Sequence, residues 1–402
     1  MFSTSTSGAR PRFGWTSPSE RDGVSAMTGG QPDAQPAGAP STAVVVGTGL
    51  IGTSIALALR ECGTDVWLSD TDQVAARLAA DLGAGRVLDA DGLPGKVAGV
   101  AILAVPPGAV ARSLLAAQRR GLATCYTDVA SVKELPLREA MSLGCDLATF
   151  VPGHPMSGRE RSGPAAARAD LFAGQPWAIC PPDETTAGCV DVVTRVARAC
   201  GASPVRMSAA EHDRWVALVS HVPHLVAAAM AAQCGDAPAA ALALAGPGLR
   251  DVTRIAAGDV GLWTEILAAN ASDVRDLVLA VAGQLGAAAE ALSAVASGDD
   301  DAIKQLAAAL EAGREGVARI PGKRGGPAPD YVVVQVVIGD RPGELARLFA
   351  AAGTAGINIE DVRIEHSPGL PVGVAELSVR PEAAAPLATA LAEGGWPVAS
   401  PA

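Results

Sequence analysis

The side chains in this chain best suited to chemistry are histidines, acids and arginines gathered near glycine- and proline-rich turns. His154 stands in Phe150-Val-Pro-Gly-His-Pro-Met-Ser-Gly158, directly after an apolar, strand-like run. An imidazole in such a turn can take the proton of a substrate hydroxyl while its carbon gives up a hydride; it can equally serve as a structural turn residue. Ser131, in Asp128-Val-Ala-Ser-Val-Lys-Glu134, opens a Ser-x-x-Glu pattern that predicts a capping box at the next helix. At the carboxyl edge of a sheet the same hydroxyl lies within possible reach of substrate. His221 and His224 interrupt an otherwise apolar helical run, which a buried polar pocket explains best. With Glu211-His212-Asp213 they invite a metal reading, but Pro223 disturbs the geometry and no further carboxylate is suitably spaced, so no metal is expected. Arg250 and Arg254, in Gly248-Leu-Arg-Asp-Val-Thr-Arg254, are candidates for clamping substrate carboxylates, or else ordinary ion-pair partners.

A second group points to a dinucleotide. The stretch Ala43-Val-Val-Val-Gly47-Thr48-Gly49-Leu50-Ile51-Gly52 places three glycines in G-x-G-x-x-G spacing after a buried strand and before an apolar helix. Gly47 permits the turn, Gly49 admits a pyrophosphate near the helix N-terminus, and Gly52 allows helix and strand to pack closely. The next strand ends at Asp70, 18 residues beyond Gly52, where a carboxylate would hold a ribose diol and repel a 2′-phosphate. NAD is therefore favoured over NADP. Val105 and Pro106 close a later strand at the edge where the cofactor would lie.

These residues need elements to carry them. Strand-like runs at 43–46, 65–70, 100–105, 124–128 and 147–151 alternate with helical patterns, which implies a parallel, doubly wound sheet. From Met207 to Ala312 the chain turns to long Ala/Leu/Val-rich stretches, an all-helical region too apolar for one layer to bury; helices of two subunits are expected to pack there. A Gly/Pro-rich linker at 319–329 precedes a small β-α-β-β-α module. The expected organisation is a tail at 1–41, a Rossmann domain at 42–206, a helical substrate and dimerisation domain at 207–318, the linker, and the small α+β domain at 330–402.

A formal charge of −11 argues against nucleic acid or an anionic membrane as partner. The seven cysteines, 62, 125, 145, 180, 189, 200 and 234, form no C-x-x-C pair and read as buried thiols of a reducing cytoplasm. The best membrane candidate, 216–232, holds His221, Pro223 and His224 and is a poor one. The first forty residues lack the apolar core of a signal peptide and read as a disordered tail.

In combination the motifs Val-Val-Val-Gly-Thr-Gly-Leu-Ile-Gly, Asp-Val-Ala-Ser-Val-Lys, Gly-His-Pro-Met-Ser-Gly, Ser-His-Val-Pro-His and Arg-Asp-Val-Thr-Arg-Ile-Ala, followed by Trp263, resemble the prephenate/arogenate dehydrogenase family, here with a ferredoxin-like ACT domain after it. The resemblance spans about 43–395. It implies NAD-dependent oxidation of prephenate with loss of carbon dioxide, giving 4-hydroxyphenylpyruvate for tyrosine biosynthesis. It casts His154 as acceptor of the ring-hydroxyl proton, Ser131 as the serine that orients it, His221 as a pocket histidine, and Arg254 as the arginine that binds a carboxylate across a dimer interface. Arg159 stands where many relatives carry a small residue, a departure that bears on prephenate against arogenate. The Gly339-Asp-Arg-Pro-Gly343 turn resembles that of amino-acid-binding ACT domains, so tyrosine or phenylalanine is the expected effector. The alternatives are arogenate as substrate, a 3-hydroxyacid dehydrogenase, or a non-enzymatic amino-acid sensor.

Overall fold

The computed structural model describes residues 38–89, 93, 97–157, 163–321, 331–366 and 371–399. Most of the expected tail, Arg159 and most of the linker lie outside them. One compact unit runs to Ala282 and a second begins at Gly283.

The first unit opens with β1 (Thr42–Val46), α1 (Leu50–Glu61), β2 (Asp65–Ser69), α2 (Gln73–Asp81), β3 (Arg86–Val87), β4 (Ala98–Leu103), α3 (Val110–Arg119), β5 (Ala123–Asp128), α4 (Glu134–Ser142) and β6 (Phe150–Val151). The six strands form one parallel sheet in the order β3-β2-β1-β4-β5-β6. Apolar β-branched runs suit such a sheet because both faces are covered. Ile55, Leu59, Val193 and Trp177 pack on one face, Val110, Leu114, Tyr126 and Phe150 on the other. The order reverses between β1 and β4, the crevice where doubly wound folds bind ligands. β4 ends two residues short of the expected Val105, and only Phe150–Val151 of the fifth predicted strand is extended, because Leu147–Thr149 forms a 3₁₀ turn.

A second sheet was not foreseen. β7 (Gly153–Pro155), β8 (Pro176–Ile179) and β9 (Ser203–Arg206) pair in that order, with α5 (Ala187–Ala199) between β8 and β9. β7 is three residues long and rich in Gly and Pro, so no periodicity announces it. The cysteine reading also needs correction. Cys125 of β5 and Cys189 of α5 form a disulfide with Cα atoms 5.4 Å apart, and Cys62 is exposed. A separation of 64 residues hides that pair from any local pattern.

The helical region contains α6 (Ala209–Val216), a π-helical turn at Ala217–His221, α7 (Val222–Ala232), α8 (Ala239–Leu242), α9 (Pro247–Thr253), α10 (Val260–Ala269), α11 (Ala271–Ala296) and α12 (Ile303–Ala318). Two stretches, Ala209–Ala232 and Ala271–Ala296, are long and apolar enough to cross a membrane, where the sequence reading expected no span. The first buries His212, Asp213, His221 and His224 on one side and exposes Leu218, Val219 and Met230 on the other. The second exposes Leu279, Leu285 and Leu292.

The last segment follows the expected β-α-β-β-α order: β10 (Val332–Gly339), α13 (Glu344–Thr354), β11 (Asp361–His366), β12 (Val372–Val379) and α14 (Pro381–Glu393). Its antiparallel sheet runs β10-β12-β11, and Val334, Val336, Leu348, Leu377 and Leu387 form its core.

Candidate active site

The glycine turn between β1 and α1 is shaped by close approach. Gly47 has φ +96°, and a Cβ there would stand 2.1 Å from the Ala104 carbonyl oxygen. A Cβ on Gly52 would stand 1.9 Å from the Gly47 oxygen, whereas one on Gly49 would meet nothing within 4 Å. Gly47 and Gly52 are thus glycines because the protein packs against them; Gly49 faces open space. No side chain caps α1 at Gly49, so the backbone N–H groups of its first turn, through Leu50 and Ile51, are available to an anion. Val105 borders Gly47, its Cγ1 being 3.4 Å from that virtual Cβ, and Pro106 beside it is exposed. These residues fit a dinucleotide: a bare helix N-terminus with vacant space over it, flanked by an acid. Asp70 Oδ2 accepts from the Thr48 backbone N–H at 2.6 Å and from the Thr48 hydroxyl at 2.7 Å, and Oδ1 accepts from Asp72 N–H at 2.9 Å. Burial would raise this carboxyl, but the bonds from Thr48 and Asp72 outweigh it and hold Asp70 below its ordinary value.

Beyond the carboxyl ends of β5 and β6 the structure gathers three residues from two elements. β7 presents His154, whose Nδ1 lies 2.9 Å from His212 Nε2 of α6, the rings meeting edge to face. His212 Nδ1 lies 2.7 Å from Asp213 Oδ1. Asp213 also accepts from the backbone N–H of Lys133 at 2.8 Å and of Glu134 at 2.9 Å. This corrects the local reading of Ser131. Its hydroxyl does not cap α4; Lys133 is the N-cap residue and makes no side-chain cap bond, because a carboxylate 80 residues away in sequence takes the orphan donors instead. Ser131 itself is half-buried on the turn between Asp128 and Lys133.

Lys133 is fully buried, a residue the sequence reading passed over. Its Nζ pairs with the Asp128 carboxylate and donates to the Gly153 oxygen at 2.6 Å, next to His154. Asp128 in turn accepts from Ala130 N–H at 3.0 Å and Gly153 N–H at 3.3 Å. The His154 ring is pushed well below the ordinary histidine value by burial, and further by His212, Lys133 and His221. It is therefore neutral, and the same surroundings resist its protonation.

His221 is buried on the π-helical turn. The Asn270 amide nitrogen, which also donates to the Asp213 backbone oxygen at 2.7 Å, lies 3.2 Å from His221 Nδ1. The opposite nitrogen, Nε2, is buried with no hydrogen-bond partner among the described residues, the condition of a group that awaits a ligand. Burial lowers the His221 ring to about 4, with Asp213 opposing and His212 adding to the shift. His224 stacks on Trp263 with ring centroids 3.6 Å apart. Arg250 lies on α9 and Arg254 on the 3₁₀ turn that follows, which packs on α7; both are exposed. The structure thus brings His154 and His221 into one polar cluster with His212, Asp213 and Asn270, and leaves the two arginines at the surface of the single chain. The signal that could have located His212 and Asp213 was the Glu-His-Asp triplet itself. Among the described residues no group of three or more His, Cys, Asp or Glu side chains is arranged to hold a metal.

Comparison with known proteins adds independent findings. Two family models match: prephenate dehydrogenase, nucleotide-binding domain, over residues 55–206, and prephenate dehydrogenase, dimerization domain, over residues 208–311. A probable prephenate dehydrogenase of Streptomyces niveus, NovF, is 40% identical over 364 residues, covering 89% of this chain and 99% of the relative. A cyclohexadienyl dehydrogenase of Zymomonas mobilis is 30% identical over 237 residues, covering 56% of this chain and 80% of the relative. The crystal structure of prephenate dehydrogenase from A. aeolicus, in complex with hydroxyphenyl propionate and NAD+, is similar with a TM-score of 0.58 at 25% identity, over 69% of this chain and 98% of that one.

Proposed function

The chain belongs to the prephenate dehydrogenase family, and from that premise we propose that it oxidises prephenate with NAD and releases carbon dioxide and 4-hydroxyphenylpyruvate, a step toward tyrosine. The observation that carries this reading is the neutral His154 beside the carboxyl edge of a nucleotide-binding sheet. NAD, when bound, supplies the hydride acceptor. Gly49 and the first turn of α1 would hold its pyrophosphate, and Asp70 its ribose diol. His154 takes the proton of the ring hydroxyl as hydride leaves the same carbon. Rearomatisation drives loss of the ring carboxylate as carbon dioxide, and the phenolate oxygen takes the proton back from His154. Proton uptake and return cancel, so the histidine ends as it began. His221 Nε2 would donate to substrate, and Arg254 and Arg250 would bind its carboxylates. Ser131 would help orient His154.

The test is NADH formation by purified protein offered prephenate and arogenate in parallel, with NAD or NADP. Turnover of prephenate with NAD is expected; no turnover of either substrate by folded, NAD-binding protein would overturn the reading. Arogenate turnover instead would identify the same chemistry on the amino-acid substrate, the alternative that the cyclohexadienyl relative supports. His154→Asn should lower kcat on the order of a hundredfold or more with little change in KM.

Domain roles follow: nucleotide binding at 42–206, substrate binding and dimerisation at 207–318, and an ACT domain at 330–402. The dimerization-domain match and the apolar outer surface of α11 support a homodimer, which a monomeric mass in solution scattering would exclude. The β-α-β-β-α order and the Gly339–Gly343 turn support tyrosine or phenylalanine as effector; unchanged activity and melting temperature in excess tyrosine would remove tyrosine. A biosynthetic dehydrogenase of this family belongs in the cytoplasm.

A further inference from the structure

We propose that His212 and Asp213 form a dyad that dictates which nitrogen of His154 carries its hydrogen, so that both are positioning residues for the proton step. The proposal rests on the reading of His154 as proton acceptor, and follows from the direction each hydrogen bond must run.

Asp213 can only accept. Three donors point at its buried carboxylate: His212 Nδ1 at 2.7 Å, Lys133 N–H at 2.8 Å and Glu134 N–H at 2.9 Å. The hydrogen of His212 is therefore on Nδ1. If the ring is neutral, its Nε2 is a bare lone pair. It is neutral, because burial lowers its affinity for a second proton and Lys133 adds to that, outweighing Asp213 and Asp128. His154 Nδ1, 2.9 Å away, must then supply the hydrogen of that contact. Nε2 of His154 is left unprotonated, ready to accept. An unconstrained imidazole prefers the opposite arrangement, with hydrogen on Nε2, in which the outward nitrogen could not act as a base. The dyad overrules that preference.

It also gives the imidazolium a partner. Once Nε2 has taken the substrate proton, Nδ1–H still donates to His212, whose far nitrogen is held by the Asp213 carboxylate. Against this cation stand burial, His212, Lys133 and His221; the Asp213 carboxylate behind His212, and Asp128 paired with Lys133, are the anions nearest to offset them. The Glu211-His212-Asp213 triplet, which suggested a metal from sequence, thus has a different use. Asp213 at the same time caps α4 at Lys133 and Glu134, so one carboxylate sets both the helix that carries the Asp128–Lys133 turn and the ring that faces His154.

The test is ¹⁵N NMR of protein labelled at its five histidines, with the His154 signals assigned by their loss in His154→Asn. In the wild type, Nδ1 of His154 should show the shift of a protonated nitrogen and Nε2 that of a bare one. His212→Phe keeps a ring but removes the acceptor; the hydrogen of His154 should move to Nε2 and kcat fall on the order of a hundredfold, with KM for NAD unchanged. His212→Gln, whose side-chain oxygen can accept from Nδ1, should restore the wild-type pattern and much of the rate. A wild-type His154 with hydrogen on Nε2 would overturn the proposal, as would a His212→Phe variant with unchanged tautomer. If His212→Phe does not fold, the wild-type spectrum and the Gln variant still decide. The predicted tautomer in a protein that turns over neither prephenate nor arogenate would leave the dyad standing and remove the proposed reaction.

Discussion

Gly49 and Gly52 share one motif, yet the structure predicts opposite consequences for adding a methyl group to each. At Gly49, φ is −69° and the new Cβ meets nothing within 4 Å, so Gly49→Ala adds no clash. The loss of a preferred N-cap residue costs about 1 kcal/mol, and the stiffer unfolded chain returns about 0.4–1 kcal/mol, so stability should stay within about 1 kcal/mol of wild type. The methyl group does, however, enter the space over the α1 N-terminus, where it would push a pyrophosphate from the first-turn N–H groups. Losing one charge-assisted hydrogen bond at about 1.5–3 kcal/mol weakens NAD binding roughly ten- to a hundredfold. At Gly52 the new Cβ would lie 1.9 Å from the Gly47 oxygen, and relief requires moving the turn against β4. Gly52→Ala should therefore lose stability by about 3 kcal/mol or more without ligand. Urea denaturation with and without NAD, together with calorimetric titration of NAD, separates the cases. A Gly49→Ala variant that binds NAD like wild type would refute the assignment of that space to the cofactor, and a fully stable Gly52→Ala would refute the packing argument.

Three further outcomes can be checked. Lys133→Met strands the buried Asp128 carboxylate and should cost about 3–5 kcal/mol in chemical denaturation, with much of the loss recovered when Asp128→Asn is added; a cost below about 1 kcal/mol would contradict the pairing. His221 holds its neutral form down to about 4 against an ordinary 6.5, so the unfolded chain takes up a proton before the folded one. The stability it supports is complete above pH 6.5 and declines as pH falls toward 4, by roughly 3 kcal/mol; His221→Asn should flatten that part of the pH–stability curve, and an unaltered slope would count against it. Asp70→Ser removes the charge that would repel a 2′-phosphate, so the kcat/KM ratio of NAD to NADP should fall at least about tenfold, while an unchanged ratio would place the discrimination elsewhere.

Much of the architecture was legible in the chain because it follows from local backbone physics. The Gly47–Gly52 spacing, the β-branched run before it and Asp70 after it dictate a strand, a tight turn and a bare helix end whatever the rest of the protein does. The shift from alternating strands to Ala/Leu-rich helices, and then to a β-α-β-β-α segment, is likewise a matter of periodicity. His154 and His221 could be singled out because polar rings in apolar or turn contexts need a reason to be there.

What only the tertiary structure decided is which of these groups meet. Ser131 and Glu134 satisfy the local pattern of a capping box, but the Asp213 carboxylate takes the orphan N–H groups of Lys133 and Glu134. The hydrogen-bonded series from Asp213 through His212 to His154 spans 58 residues of sequence at its longest step, and Cys125 joins Cys189 across 64. The ion pair of Lys133 with Asp128 spans only five residues, yet nothing in the string shows that both are sealed from water. Short-range sterics and periodicity are written residue by residue. Burial, and with it the strength and direction of every polar contact, arises only when distant elements pack.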